Sequence, residues 1–380
     1  MKEASISDQE FVRTQVAHRL GKIDEVQLTS TAATWERLKI CGSGGTLLWL
    51  AAQSRPADWN NWSSIGPGLE GVRFRQRAPE LNPKAFRSLQ EILAAGADFD
   101  FAVDMQDRRV RSPAVQEGPE KGTATPVFAF NRLGRMPGVV LWPLPGYHDL
   151  GSNGFLGNFG TRLIPWEDKQ DRFVWRGSPG GRNTIGKTFE RDAGYRMRPL
   201  LVSNRDGKLS DKKLLRHLDQ FPRYRFVSRY IDDPRGDVGF TDRKDIGIDN
   251  WPVLRSLKRE HIPQPEMLQY KYIVVLRGLD IGSSFYWTMN SGSVGLVMET
   301  PFESFASIHF RAWEHYVPFR EDGSDFEERL EWCLANDAEC QAIADRAGAT
   351  CRNLARTDLR EEIDRRVVGE LRRRIQAARI

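Results

Sequence analysis

Residues 271–319 read KYIVVLRGLDIGSSFYWTMNSGSVGLVMETPFESFASIHFRAWEHYVPF, and the alternation of apolar runs with polar breaks in this stretch decides the fold class. The run at 272–276 breaks at Arg277 and Gly278 into a polar loop, and 283–289 resumes with helical spacing, which reads as strand, loop, helix. A second apolar run, 293–298, follows Gly292, and a third, 316–319, follows Trp313. Such alternation predicts β and α units of a parallel sheet. In these sheets ligands bind beyond the carboxyl ends of the strands, where a helix N-terminus points free N–H groups at an anion. Geometry alone says no more than that a phosphate can sit at this joint, since most strand-loop-helix joints bind nothing.

Upstream, 172–175 reads as a strand entering a loop at Arg176, Gly177 and Ser178, and it opens a second domain. Pro179, Gly180 and Gly181 follow, and glycines let backbone N–H groups approach a ligand without a Cβ in the way. The wording of the two stretches is more specific than their geometry. It resembles glycosyltransferase family 90, which holds fungal capsule-associated xylosyltransferases, animal protein O-glucosyltransferases of the Rumi type and bacterial lipopolysaccharide glycosyltransferases. The matching residues are Lys271, Tyr272, Gly278, Asp280, Ser283, Trp287, the turn Ser291, Gly292, Ser293, Val294, then Glu303 and Ser304, and Trp313 with His315, Tyr316, Val317 and Pro318. The upstream match is Trp175, Arg176, Gly177 and Ser178 with Gly180 and Gly181. Together they cover roughly the C-terminal half, and the likeness is much weaker before residue 120.

The resemblance implies a GT-B-like α/β architecture, with two Rossmann-like domains facing a central cleft. Residues 1–165 would form an acceptor-side domain, 166–355 the nucleotide-sugar donor domain, and 356–380 a C-terminal helix packing back on the first domain. It implies an inverting transfer of a hexose or pentose from a nucleoside diphosphate sugar, UDP-linked, to a hydroxyl of a surface glycan, lipopolysaccharide, lipid-linked or protein acceptor. Such chemistry needs a base for the acceptor proton and positive charge to steady the departing diphosphate. The family pattern places the base a few residues past a short N-domain strand, at Asp107, with Asp104 the rival. Arg176, Gly177 and Ser178, the helix start at Ser283 and Ser284, and Arg196 or Arg277 are the candidates for the diphosphate, with Gly278 and Asp280 in the same loop. Glu303, read as the start of a helix, would accept the ribose hydroxyls. No D-x-D box stands in the expected place. The nearest approaches are Asp98 with Asp100, and Asp232 with Asp233, so we expect no metal and no cofactor beyond the sugar nucleotide. The chain departs from the family at Tyr286, where animal members carry Arg, and at Arg277, where bacterial members often carry Asp, which leaves the sugar and the base open. Trp142, Trp287 and Trp313 could stack on a sugar or a base, although tryptophans at apolar positions more often belong to the core.

At 380 residues the chain is long enough for two domains. Its 40% apolar share fits a globular protein, and no run approaches the roughly eighteen apolar residues of a membrane span. The start MKEASISDQEF has no apolar signal-peptide core, so we expect a cytoplasmic protein, peripheral at most to the inner membrane face. Cys41, Cys333, Cys340 and Cys351 are too scattered for a disulfide framework and read as free thiols. The animal relatives carry disulfides and a retention tail, whereas this chain ends in AARI, toward the bacterial type. Net charge is +5, with 56 Lys+Arg against 51 Asp+Glu. The dense basic run at 365–374 lies on a stretch whose Ile363, Val367, Leu371 and Ile375 recur every four residues. It reads first as the solvated face of a packed helix, and second as a contact through 360–380 with anionic lipid or a lipid-linked acceptor. Nucleic acid is not expected, because no aromatic interleaving accompanies the charge. Two further functions stay open: a non-catalytic sugar-nucleotide or glycan-binding protein, and a basic membrane- or nucleic-acid-surface binding module.

Elsewhere, 7–21 predicts a capped helix in which His18 is structural, 44–53 a first strand, and 83–96 an amphipathic helix stopped by Gly96. Residues 101–103 predict a buried strand ending in acids, with further strands at 126–130 and 139–142, and 108–124 an exposed loop. The glycine-rich 146–160 carries His148 and Asp149, which read as turn residues within reach of substrate. Residues 209–219 predict a helix and 221–266 irregular structure. Ser324 to Glu327 reads as a capping box, and helical periodicity then runs on with breaks near Asn336 and Gly348.

Overall fold

A computed structural model describes residues 7–41, 46–51, 62–64, 72–75, 83–107, 111–148, 163–186, 196–241 and 247–378. The chain divides into two compact units. The first is Met1–Gly151 with Pro301–His309 and Leu354–Ile380, the second Ser152–Thr300 with Phe310–Asn353. The first unit opens with α1 (Asp8–Leu20), β1 (Gln27–Leu28), α2 (Ala32–Cys41), β2 (Leu47–Trp49), β3 (Trp62–Ser64), β4 (Val72–Arg75), α3 (Pro83–Ala94), β5 (Phe101–Asp104), β6 (Thr123–Ala124), β7 (Val127–Ala129), β8 (Asn131–Leu133) and β9 (Val139–Leu141). The second holds β10 (Gln170–Gly177), α4 (Met197–Arg205), α5 (Asp211–Leu218), α6 (Pro222–Tyr230), β11 (Gly236–Phe240), α7 (Pro252–Arg255), α8 (Gln264–Met267), β12 (Tyr270–Val275), α9 (Phe285–Met289) and β13 (Val294–Met298). Strand β14 (Phe302–Ser304) returns to the first unit, β15 (Val317–Phe319), α10 (Phe326–Ala335) and α11 (Asp337–Leu354) build the second, and α12 (Thr357–Ala377) ends in the first.

The first unit is built on a six-stranded sheet, β3-β4-β2-β5-β7-β9. Strands β5, β7 and β9 run parallel, whereas β2 runs antiparallel to both β4 and β5. A Rossmann-like, all-parallel sheet is therefore not what this unit has. An apolar run marks a buried strand but not its direction, because direction depends on the end at which the connection enters. The expected strand at 44–53 forms as β2, preceded by β1, which pairs with β6 inside the stretch expected to be a loop. Helix α1 starts where Ser7 Oγ accepts the Glu10 N–H at 3.2 Å, as a capping pattern requires. Helix α3 buries Ala85, Leu89 and Ile92 and stops at Gly96, whose φ is +96°. On α12 the four-residue recurrence of Ile363, Val367, Leu371 and Ile375 is buried, with Val368 beside it. Its arginines pair along the helix and beyond it: Arg366 with Glu362 at 2.6 Å, Arg374 with Glu370 at 2.7 Å, and Arg372 with Asp98 at 2.7 Å.

The second unit carries a five-stranded sheet, β11-β10-β12-β13-β15, parallel throughout. All residues of β12 and β13 are buried, which is why 272–276 and 293–298 read as continuous apolar runs. Phe326 of α10 meets Phe173 of β10 at 5.3 Å, Phe226 of α6 at 4.7 Å and Phe319 of β15 at 5.1 Å, all edge-on, so one aromatic cluster ties four elements together.

Several local expectations need correction. Residues 221–266 are not irregular, since they hold α6, β11, α7 and α8. Proline at the first position of α6 is compatible with a helix start, and Tyr224, Phe226, Val227 and Tyr230 give it a buried face. Helix α10 has Asp325 rather than Ser324 at its N-cap position, and no side-chain bond caps it, so the expected capping box does not form. Gly348 lies inside α11 and breaks nothing, and the interruption falls between α11 and α12. Glu303 begins no helix, for it lies in β14, paired antiparallel with β8. Among the described residues no helix is long and apolar enough to cross a membrane.

Candidate active site

Numbered within the second unit, the strand order is 2-1-3-4-5, so the direction of the connections reverses between β10 and β12. In a doubly wound sheet that reversal parts the two sets of loops at the strands' carboxyl ends and leaves a crevice between them. The two stretches singled out in the sequence end there side by side, since Val174 is in register with Ile273. A cavity of about 460 Å³ opens beside them, lined by Val174, Arg176, His261, Gln264, Ile273, Ser283, Ser284 and Trp287 among others. It combines an apolar floor, an aromatic wall and polar groups, which suits a ligand with a flat ring and an anionic end.

The glycines of the two loops make room for protein rather than for a ligand. A Cβ on Gly177 would stand 2.7 Å from the Trp175 ring, one on Gly278 2.9 Å from Arg223 Nη2, and one on Gly181, at φ +129°, 3.3 Å from the Gly278 carbonyl oxygen. The loops therefore interlock.

Arg176 donates through Nε to the Glu260 carbonyl at 3.0 Å, through Nη1 to the Asp237 carbonyl at 2.7 Å, and through Nη2 to the Asp237 carboxylate. Tyr270 Oη donates to the other carboxylate oxygen at 2.8 Å. Burial works against the Asp237 charge, but these bonds outweigh it and hold the carboxyl below its ordinary range. Arg176 thus lines the cavity with much of its hydrogen bonding already committed. Arg277 is buried and pairs with Glu321, with Thr184 Oγ1 accepting at 2.6 Å, so it fastens the loop. Arg196 forms a backbone bridge with Arg182 just before α4. Burial, and then the like charge of Arg196, push the Arg182 guanidinium below its ordinary pKa. Ser178 is buried, its Oγ accepting the Gly180 N–H at 3.0 Å, and Asp280 Oδ1 accepts the Ile281 N–H at 2.6 Å. Both of these bonds shape loops.

The remaining candidates lie in the first unit. Asp104 ends β5, is 2% exposed, and accepts the Gln106 N–H at 3.2 Å, whereas Asp107 is exposed. Glu303 pairs with the fully buried Arg132 at 3.1 Å, and Arg132 also donates to the carbonyls of Arg19 and Val139, each at 3.0 Å. His148 Nδ1 accepts the Leu144 N–H at 3.1 Å, and burial pushes its pKa down to about 3, so it is a neutral turn residue. Asp149 lies outside the described residues. Of the near D-x-D acids, Asp98 pairs with Arg372 and Asp100 accepts the Ala51 N–H at 2.8 Å. Among the tryptophans, Trp287 lines the cavity, Trp142 is buried under the Arg19 guanidinium at 4.3 Å, and Trp313 lies at the surface against Trp332. Among the described residues no three His, Cys, Asp or Glu side chains cluster as metal ligands would.

The sequence reading missed Arg182, Arg223, Glu321 and the wall at His261 and Gln264. Only Arg182 had a signal, directly after the glycine pair Gly180 and Gly181, since the others reach the crevice from elements distant in the chain.

Comparison with known proteins shows the family. The model of Glycosyl transferase family 90 matches residues 86–360. Protein O-glucosyltransferase 3 of Rattus norvegicus is 32% identical over 89 residues, 23% of this chain and 18% of its own. O-glucosyltransferase LpsA of Dichelobacter nodosus is 30% identical over 109 residues, 28% of this chain and 32% of its own. Uncharacterized protein 027R of Frog virus 3 is 28% identical over 193 residues, 48% of this chain and 18% of its own. The matched stretches thus span less than a third, or about a third, of these relatives' lengths.

Proposed function

Because this chain belongs to glycosyltransferase family 90, whose model spans residues 86–360, we propose that it transfers a sugar from a nucleoside diphosphate sugar, UDP-linked, to a hydroxyl of a glycan, lipid-linked or protein acceptor. One observation carries the reading: the two family-like loops end side by side at the strand reversal, over a cavity whose lining joins Trp287 to Arg176, Ser283 and Ser284. Trp287 would take the flat base. Ser283 and Ser284 would meet the diphosphate, with Arg182 and Arg196 supplying the positive charge that steadies it as it leaves. This cationic surrounding supports transfer without a metal. Two of the relatives are named O-glucosyltransferases, which makes a hexose donor the first to test.

For the acceptor proton the reading takes Asp107, an exposed carboxylate three residues past β5, as the general base of an inverting displacement. The two units would then serve as the acceptor and donor sides of a GT-B arrangement. A thermal-shift screen of nucleotide sugars in excess EDTA tests the proposal, since a ligand that binds only the native state raises its melting temperature. Uridine diphosphate and its sugars should stabilise the protein with chelator present. If no nucleoside diphosphate sugar shifts the melting temperature, the reading fails, and if binding vanishes with EDTA the metal-free part of it fails.

A further inference from the structure

We infer that Arg223 is a positioning residue for this site, a single guanidinium that sets the spacing of the two loops on either side of the strand reversal. The inference rests on the reading of that end of the sheet as the nucleotide-sugar site. Arg223 stands at the start of α6, one residue after the proline that opens the helix. Its Nη1 donates to the Ser178 carbonyl at 3.1 Å, its Nε to the Arg277 carbonyl at 3.1 Å, and its Nη2 to the Leu276 carbonyl at 3.3 Å. All three acceptors are main-chain oxygens just past the carboxyl ends of β10 and β12. One side chain thus ties together two loops almost a hundred residues apart in the chain.

Two physical consequences follow. In a trans peptide the C=O and the next N–H point in opposite directions. Drawing the Leu276 and Arg277 carbonyls toward Arg223 therefore turns the N–H groups of Arg277 and Gly278 away from α6. The fit is also close on every side: a Cβ on Gly278 would stand 2.9 Å from Nη2, and the guanidinium lies 5.8 Å from the centre of the Trp175 ring, which fills the space a Gly177 Cβ would need. A lysine cannot replace this arrangement, because its ammonium is a point donor on a flexible stem while the guanidinium presents its donors in a fixed planar fork. Arg223 thereby acts on the ligand through the loops.

The test compares Arg223→Ala, Arg223→Lys and Gly278→Ala with the full-length wild type by amide hydrogen exchange and by calorimetry with uridine diphosphate. We expect exchange at 178–182 and 276–282 to quicken at least tenfold in all three variants while the strands keep their protection. Uridine diphosphate affinity should fall about tenfold or more in Arg223→Ala and Arg223→Lys, the donor KM should rise more than kcat falls, and millimolar methylguanidinium should restore part of the affinity of Arg223→Ala. A merely stabilising arginine would slow none of these selectively, and its loss would speed exchange across the whole unit. Unchanged exchange in both loops, global loss of protection in all three variants, or an Arg223→Lys variant indistinguishable from wild type overturns the inference. If the wild type binds no uridine diphosphate, the functional reading fails on its own, and loop exchange still decides the role of Arg223.

Discussion

Asp104 and Asp107 stand at the end of one strand in different surroundings, one buried against a backbone N–H and the other in water. An asparagine at 104 can still accept from Gln106, so Asp104→Asn should leave turnover within a few-fold. Asp107→Asn should lower it by roughly a hundred- to ten-thousand-fold, the usual loss for a positioned base, with donor affinity nearly intact. Turnover that survives at 107 but collapses at 104 would move the assignment by three residues. His18 shows how burial sets stability. Its Nε2 donates to the Ser304 carbonyl at 2.8 Å, and burial lowers its pKa from 6.5 to about 4. The folded state therefore holds fewer protons than the unfolded chain as pH falls through that window, so stability is full above about 6.5 and is lost toward 4. His148, lowered to about 3, extends the loss further. Each such histidine contributes a slope of about 1.4 kcal/mol per pH unit. Denaturant melts between pH 7 and 4 should show it, and His18→Phe should flatten the slope; an equal slope in that variant would refute the assignment. The motif glycines make the same point, since their identities were legible while their reason, contact with Trp175 and Arg223, was not.

At the level of elements, long periodic segments were readable and short ones were not. Helix α12 followed from apolar residues every four positions, and the side chains that define it are buried on one face. Leu371, fully buried, should cost about 2–5 kcal/mol when cut to alanine, measured by chemical denaturation, whereas exposed Arg373→Ala should change stability by less than about 0.5 kcal/mol. Equal effects would mean that the helix does not pack through that face. Strand β11 offers a sharper case: a Cβ on Gly236 would stand 2.4 Å from the Phe173 ring, so Gly236→Ala should destabilise by roughly 1–3 kcal/mol through overpacking. A neutral effect would show that Phe173 can move. Helix α6 escaped notice because nine residues, three of them Arg and the first a Pro, carry too little local signal, and β14 because its partner β8 lies far upstream.

For the whole molecule, the proposal that the two units act as acceptor and donor sides predicts domain closure on ligand. Saturating uridine diphosphate should reduce the radius of gyration in solution scattering, and an unchanged curve would count against a hinged arrangement. By itself the sequence determined the parallel sheet of the second unit, the two loops at its strand ends and the family, because buried parallel strands are apolar throughout and the loop residues are adjacent in the chain. Only the tertiary structure decided that β10 and β12 are neighbours, that the first unit's sheet is mixed, and that Glu303 pairs with Arg132. These strand neighbours and the Arg132–Glu303 pair join residues far apart in the chain. No local pattern encodes such partners, since they are chosen when the whole chain closes its core.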